Sequence, residues 1–314
     1  MIGIFQNKEI DEVTIRDAVD KHWQIVEKLV NKEYAIEGQL GKINLLTELN
    51  NRLTTLKNNQ GKAYTFKDIV TLGYEELRML NISPEFERVN AEIKNSLVRC
   101  SKGRQKENII VFLYEKFRKK HGLEFVESLH INVCPYCNRN YINSGRNVTM
   151  AQIDHFFSKK EYPLLALSFY NMVPSCYSCN HTKLDSKKDI ISPYDRSKKT
   201  DDIIKFAYGI KSSALSFIEV ERKDKQMSNN IEVFHLKEQY RIHTDIVNEL
   251  RVKVRHDPPE YIDSINKLFE GGIDTTPEEI YFGTPLTQDK YYKRPLSKFQ
   301  KDIIDQIKQE LEME

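Results

Sequence analysis

The chain carries two Cys-x-x-Cys pairs, Cys134-Pro135-Tyr136-Cys137 and Cys176-Tyr177-Ser178-Cys179, with 38 residues between them. Each pair can place two thiolates on one ion from a single tight turn, and four thiolates close a tetrahedral zinc site. Pro135 and Ser175, beside the cysteines, suit such turns. Only five cysteines occur in 314 residues, so a repeated pair favours structural Zn2+ over a redox dithiol or four separately buried thiols. The fifth, Cys100, is expected to fill core space. An odd count with no secretory leader argues against a disulfide framework. Residues 134–137 and 176–179 must therefore meet around one ion. A closed four-thiolate site leaves no open position for water, so any activity resides in what the metal holds in place.

Between the pairs lies Gln152-Ile153-Asp154-His155-Phe156-Phe157, which has strand composition, as does Asn171-Met172-Val173 just before the second pair. Cys179 is followed at once by Asn180-His181-Thr182-Lys183, in a stretch suited to a short helix. The order is thus C-x-x-C, D-H, N, C-x-x-C-N-x-x-K. Over about 50 residues this order resembles the HNH endonuclease family in its zinc-stapled form, as a His-Asn-Asn variant. The resemblance implies a ββα-metal unit, a β-hairpin followed by a helix with one divalent ion between them. It makes His155 the general base, Asp154 and Asn180 the ligands of the catalytic ion, Asn171 the residue that holds the hairpin loop and orients His155, and Lys183 a phosphate contact. Many family members have His where this chain has Asn180, and His181 stands one residue further on. The second ligand is therefore open between Asn180 and His181, although helical geometry turns His181 about 100° away and favours Asn180.

The residue types fit that chemistry independently. Phosphodiester hydrolysis needs an activated water, a metal to carry charge on the leaving oxygen, and donors for the phosphate. Histidine can take a proton from water near neutral pH. Asp154, its neighbour on a strand, points to the opposite face. An oxygen donor set of Asp and Asn suits Mg2+ or Mn2+ better than zinc. Lys183 lies one helical turn from Asn180 and shares its face.

Periodicity divides the chain into three regions. Residues 1–130 read as helical, with apolar residues at three- and four-residue spacing over 11–33, 42–58, 65–80, 84–99 and 105–122, and start signals at Thr65 and Ser83-Pro84. This region is a possible partner or DNA interface. The resemblance makes residues 131–200 the nuclease core, with its four-cysteine zinc site. Residues 201–314 read as mixed α/β and mainly helical, with strands at 214–220 and 231–234, helices at 237–255, 260–269 and 297–313, and Ser297 as a cap. The expected fold class is α+β, mostly helical, with the ββα-metal core inserted between the two flanking regions.

Charge points to nucleic acid. The chain's net charge is +2, yet residues 131–200 hold ten Lys or Arg against five Asp or Glu, a local +5 that leaves about −3 elsewhere. Positive charge is concentrated where a phosphate backbone would lie. Arg139, Lys159, Lys160 and Lys187, with Arg146 and Lys188, are the candidate phosphate contacts. No apolar run approaches a membrane span and no leader is visible, so a cytoplasmic protein is expected.

A weaker resemblance covers Asp154-His-Phe-Phe-Ser-Lys-Lys-Glu-Tyr-Pro163, Asn171-Met-Val-Pro-Ser-Cys176 and Phe234-His-Leu-Lys-Glu-Gln-Tyr-Arg-Ile-His243. These phrases are similar to HNH subunits of bacterial antiphage systems of the Septu type, which implies an ATPase partner. The chain has no G-x-x-x-x-G-K-[ST] loop, so that ATPase must be another polypeptide. Two other readings stand beside a DNA endonuclease: a catalytically inactive, zinc-stabilised nucleic-acid-binding module, and an RNase or toxin using the same site.

Overall fold

The computed structural model describes all residues except 101–105, 143, 146–147, 185, 213–214, 257–263, 265–266, 268–274 and 314. It is mixed α+β and about half helical, with five small two-stranded antiparallel sheets among the described residues. The helix share is lower than "mostly helical" because short strands open or close several segments with helical periodicity. The chain divides into two compact units. One, the helical unit, comprises 10–130 and 144–175; the other, the cysteine unit, comprises 1–9, 131–143 and 176–314. The division at 130, 200 and 314 does not coincide with these units, because 131–200 is shared between them.

The helical unit begins with α1 (Glu12–Val30), capped by the Asp11 carboxylate, which accepts the Thr14 N–H at 2.7 Å. Its inward face is Ile15, Ala18, Val19, His22, Trp23, Val26 and Val30. After β1 (Glu33–Ala35) and β2 (Lys42–Asn44) come α2 (Leu45–Leu53), α3 (Phe66–Thr71), α4 (Tyr74–Asn81) and α5 (Pro84–Ser96). The segment 65–80 is two helices, broken where Leu72 leaves the helical region at ψ 130° and Gly73 takes the next cap. Thr65 and Asp68 form a reciprocal capping box. Ser83 caps α5 by accepting from Phe86, with Pro84 in the first turn. β3 (Val98–Cys100) pairs with β4 (Lys106–Asn108), and Asn108 caps α6 (Ile109–Glu127). The side chain of Cys100 lies outside the described residues.

The unit is completed by β5 (Ser144–Gly145), β6 (Val148–Thr149), β7 (Gln152–His155) and β8 (Met172–Ser175). β7 and β8 form an antiparallel hairpin in which Asp154 faces Val173 and His155 faces Met172. Tyr114 of α6 donates to the Ile153 carbonyl at 3.2 Å, and the Ile153 side chain packs against the helix at Gly122. From Pro163 to Asn171 the loop of this hairpin is buried rather than spread over the surface. Leu164, Leu165, Ala166, Leu167 and Phe169 are fully inaccessible. A buried loop must find partners for its backbone. The Asn90 side chain of α5 donates to the Glu161 carbonyl, and Ser168 Oγ donates to the Ile69 carbonyl of α3.

In the cysteine unit, α7 (Tyr177–Lys183) starts at Cys176, and α8 (Thr200–Ile203) leads into the long hairpin of β9 (Ile204–Ser212) and β10 (Leu215–Arg222). Then follow α9 (Met227–Val233), α10 (Leu236–Tyr240), α11 (Thr244–Arg255), α12 (Pro277–Phe282) and α13 (Ser297–Met313). Residues 231–234, expected as a strand, belong to α9 and its end. A run as short as Ile231-Glu232-Val233-Phe234 does not separate helix from strand. Here Asn230 decides, since its amide accepts from Ile191 N and donates to Ile191 O, at 2.8 and 3.0 Å. The 237–255 segment is two helices separated at Arg241–His243. Ser297 is the first helical residue of α13, and its hydroxyl donates to the Tyr291 carbonyl rather than capping the helix. Ala214, Asp257-Pro258-Pro259 and most of the expected 260–269 helix lie outside the described residues.

α13 also closes an open sheet edge. Asp302 accepts from Phe206 N, while Gln306 accepts from Tyr208 N and donates to Tyr208 O. Two side chains at i and i+4 thus take over β9 backbone groups that would otherwise invite another strand. Among the described residues, no helix is long and apolar enough to cross a membrane.

Candidate metal centre and catalytic residues

The four paired cysteines come together in the cysteine unit. Cys134, Cys137, Cys176 and Cys179 are buried, unoxidised, and have Sγ atoms within 4.8 Å of one another. Cys137 and Cys176 stand 4.0 Å apart, far beyond a bonded S–S distance of about 2.05 Å. A tetrahedron with Zn–S bonds of about 2.3 Å has S···S edges of about 3.8 Å. The donor set and its spacing therefore fit a structural zinc ion. Backbone and side-chain donors already point at the sulfurs: Arg139 N to Cys137 Sγ at 3.4 Å, Asn140 Nδ2 to Cys176 Sγ at 3.3 Å, and Cys179 N to Cys176 Sγ at 3.5 Å. Hydrogen bonds from the neighbouring thiols and from Asn140 push Cys176 towards the thiolate, whereas burial pushes Cys134 the other way. Such a group of thiols shares its protons, and a divalent ion held there would remove the conflict by ionising all four.

Local structure explains how each pair is held. The first is a tight turn in which Asn138 N donates to Cys134 O and Cys134 N to Asn140 O. Asn138 closes that turn in the left-handed region at φ 51°, a conformation asparagine tolerates better than most residues. Its side chain donates to Tyr291 O at 3.0 Å and accepts from Lys298 N at 3.1 Å, which docks the turn on the start of α13. The phrase 234–243 supports the same turn from another side. Phe234 stacks on Tyr136 at 4.4 Å, Tyr240 donates to Cys137 O at 2.6 Å, and His243 Nε2 accepts from Arg139 Nε at 3.0 Å. Burial, and next the Arg139 charge, lower the His243 pKa, as its acceptor role requires. Sequence reasoning singled out this phrase without finding its role. The signal is aromatic and histidine spacing, and only the partner residues give it meaning. The second pair sits at the start of α7, where Cys176 is the cap.

The helical unit holds Asp154, His155 and Asn171. All three are buried, Asn171 completely. His155 ends β7, its ring 4.3 Å from that of Tyr114 in an edge-to-face arrangement. His155 Nε2 lies 2.9 Å from the Ala166 carbonyl. A carbonyl only accepts, so Nε2 carries the proton and the lone pair of the neutral ring resides on Nδ1. Asn171 binds the 156–165 loop at three points. Its Oδ1 accepts from Phe157 N at 2.7 Å, and its Nδ2 donates to Phe157 O and Leu165 O, each at 3.0 Å. Burial, reinforced by Glu115 and Asp154, raises the Tyr114 phenol well above its usual value, so it stays a neutral donor.

Asn180 and Lys183 belong to the other unit, on α7. Asn180 is half-buried, and Lys183 is buried at the helix end. His181 is exposed, with its ring stacked on Tyr177 at 5.7 Å and 7°. Of the expected phosphate contacts, Arg139 is engaged by His243, and Lys159 pairs with Glu115 at 2.7 Å while lying over the Tyr114 ring. Lys160 and Lys187 are exposed, and Lys188 is exposed and paired with Glu232. Arg146 lies outside the described residues.

Comparison with known proteins adds one likeness. Over 107 residues the chain is 29% identical to the Septu protein PtuB of Bacillus thuringiensis. The match takes in 33% of this chain and 37% of that protein, so the chain spans little more than a third of the relative's length. No family model matches the chain, and no solved structure matches it.

Proposed function

We propose that this chain is a metal-dependent endonuclease of the HNH type that hydrolyses phosphodiester bonds of DNA, with His155 as the base that activates water. The observation that carries the reading is the 2.9 Å contact of His155 Nε2 with the Ala166 carbonyl. It fixes the tautomer in which Nδ1 is the basic nitrogen, as general-base catalysis on water requires. Asn171 supports the same geometry by tying down the loop that supplies that carbonyl. The buried Asp154 carboxylate, with the Asn180 amide assigned from motif order alone, has the oxygen donors suited to Mg2+ or Mn2+, and such an ion would carry charge on the leaving oxygen. Lys183 is assigned to the phosphate on the same ground. In this reading 131–200 is the functional module, and the thiolate-bound zinc holds its ends without reacting.

A nucleic-acid backbone is favoured as substrate by the local excess of positive charge in 131–200, with Lys160 and Lys187 as exposed contacts, and the HNH resemblance makes that backbone DNA. The likeness to a Septu protein supports a role in antiphage defence, and an ATPase partner is assigned from the resemblance of the sequence phrases to Septu-type subunits alone. Plasmid cleavage by the purified protein in EDTA, Mg2+ and Mn2+, beside His155→Ala, tests the reading. The expected result is metal-dependent cleavage that the variant loses while it still binds DNA. Cleavage that survives in His155→Ala or in EDTA would refute it, and preferential cutting of an RNA competitor would move the substrate to RNA.

A further inference from the structure

His22 lies on α1, outside every motif, and is buried among aromatic rings. Phe117 and Phe169 meet its ring edge-on at 5.0 and 5.5 Å, and Phe125 at 6.0 Å. An apolar side chain would suit such a cage better, because a buried polar group is costly unless it is bonded. His22 does have a bond: its Nε2 lies 2.8 Å from the Leu167 carbonyl, 145 residues along the chain. Burial lowers its pKa to about 4, so the neutral ring donates through Nε2–H at ordinary pH.

Leu167 follows Ala166, whose carbonyl receives His155. Three consecutive carbonyls, all fully inaccessible, are each taken by a different buried side chain. Leu165 O receives Asn171 at 3.0 Å, Ala166 O receives His155 at 2.9 Å, and Leu167 O receives His22 at 2.8 Å. Successive peptide planes share their Cα atoms, so a shift of the Leu167 peptide that is not compensated at the φ and ψ between them displaces the Ala166 carbonyl as well. We infer that His22 is a positioning residue for His155: by bonding the Leu167 carbonyl it fixes the peptide row whose Ala166 carbonyl holds the His155 ring. The word "positioning" rests on the proposed function, whereas the coupling between the two rings does not.

The test therefore reads the ring and not only the reaction. The full chain is labelled with 15N-histidine, and the His155 ring is assigned by its loss in His155→Gln. In the wild type the His155 Nε2–H is expected to exchange slowly with water and to occupy one tautomer. His22→Phe should speed that exchange at least tenfold and bring in the second tautomer, with zinc content and circular dichroism unchanged. His22→Gln, which keeps a donor, should stay within about threefold of wild type. In cleavage assays His22→Phe should lower kcat about tenfold with KM nearly unchanged, and His22→Gln should recover most of it. An unchanged His155 exchange rate in folded His22→Phe overturns the inference. Should His22→Phe fail to fold, a tenfold faster exchange in His22→Gln overturns it instead. If His155→Ala cleaves normally, the proposed function fails while the ring measurement still decides the coupling.

Discussion

Asn171→Asp changes one atom and should produce a stability loss that depends on pH. Asn171 is fully buried, and its Nδ2 serves two carbonyls, Phe157 O and Leu165 O, each at 3.0 Å. A carboxyl of the same shape turns an oxygen towards them. As a protonated acid it can donate to only one, which costs about 1 kcal/mol for the other. Staying protonated costs about 1.4 kcal/mol for each pH unit above the ordinary carboxyl value of about 3.9, or about 4 kcal/mol at pH 7. The total approaches 5 kcal/mol at pH 7, comparable with the whole stability of a small domain. Asn171→Ala instead leaves Phe157 N–H and two carbonyls without this side chain, about 3 kcal/mol at any pH. The introduced carboxyl has a raised folded pKa, so the folded state holds a proton that the unfolded chain has released. Stability therefore falls as pH rises from about 4. The two variants should exchange rank between pH 5 and about 6. Urea unfolding followed by Trp23, the single tryptophan, buried on α1 of the same unit, reads this directly. Each variant is referenced to wild type at each pH, so the native titrations cancel. An Asn171→Asp penalty that is flat with pH, or smaller than that of Asn171→Ala at pH 7, would show that Nδ2 does not face those carbonyls.

Two further outcomes are expected. His22 has a folded pKa of about 4 against 6.5 when free, so its contribution is complete above pH 6.5 and is lost as pH falls towards 4. That amounts to about 3 kcal/mol of acid sensitivity, which His22→Phe should lack in the same Trp23 titration. Purified protein should carry one zinc per chain by native mass spectrometry, and Cys137→Ser should lose it. A zinc-free wild type with all thiols titratable would remove the metal centre.

The cysteine site was legible because its chemistry is written in spacing: four thiols in two pairs have few other uses in a cysteine-poor chain. The strands around Asp154-His155 and before Cys176, the helix after it, and the caps at Thr65 and Ser83 were legible because each rests on neighbours a few residues apart. What stayed hidden depends on distant partners. Nothing local announces that Asn230 will bridge Ile191, that Asp302 and Gln306 will cover β9, or that His22 will meet Leu167. The long hairpin of β9 and β10 was half missed, although Ile204, Phe206, Tyr208 and Ile210 recur at the two-residue period of a strand. Lys159 and Arg139 show the limit of reading charge from sequence, for both already have partners within the fold.

The three-segment make-up of the cysteine unit has a consequence for synthesis and for dissection. A ribosome finishes the helical unit when residue 175 has emerged, but at that point it has delivered only 1–9 and 131–143 of the other. Cys134 and Cys137 must wait, with half a coordination shell, for Cys176 and Cys179 and then for the hairpin and helices that support their turn. Zinc capture at this site would thus be a late event that depends on chain yet to be made. The same arrangement means that 131–200, cut out as a fragment, takes a piece from each unit and completes neither. Any excised version of this motif would have to bring along α1, α6 and α13 to keep its histidine and its thiols where they are.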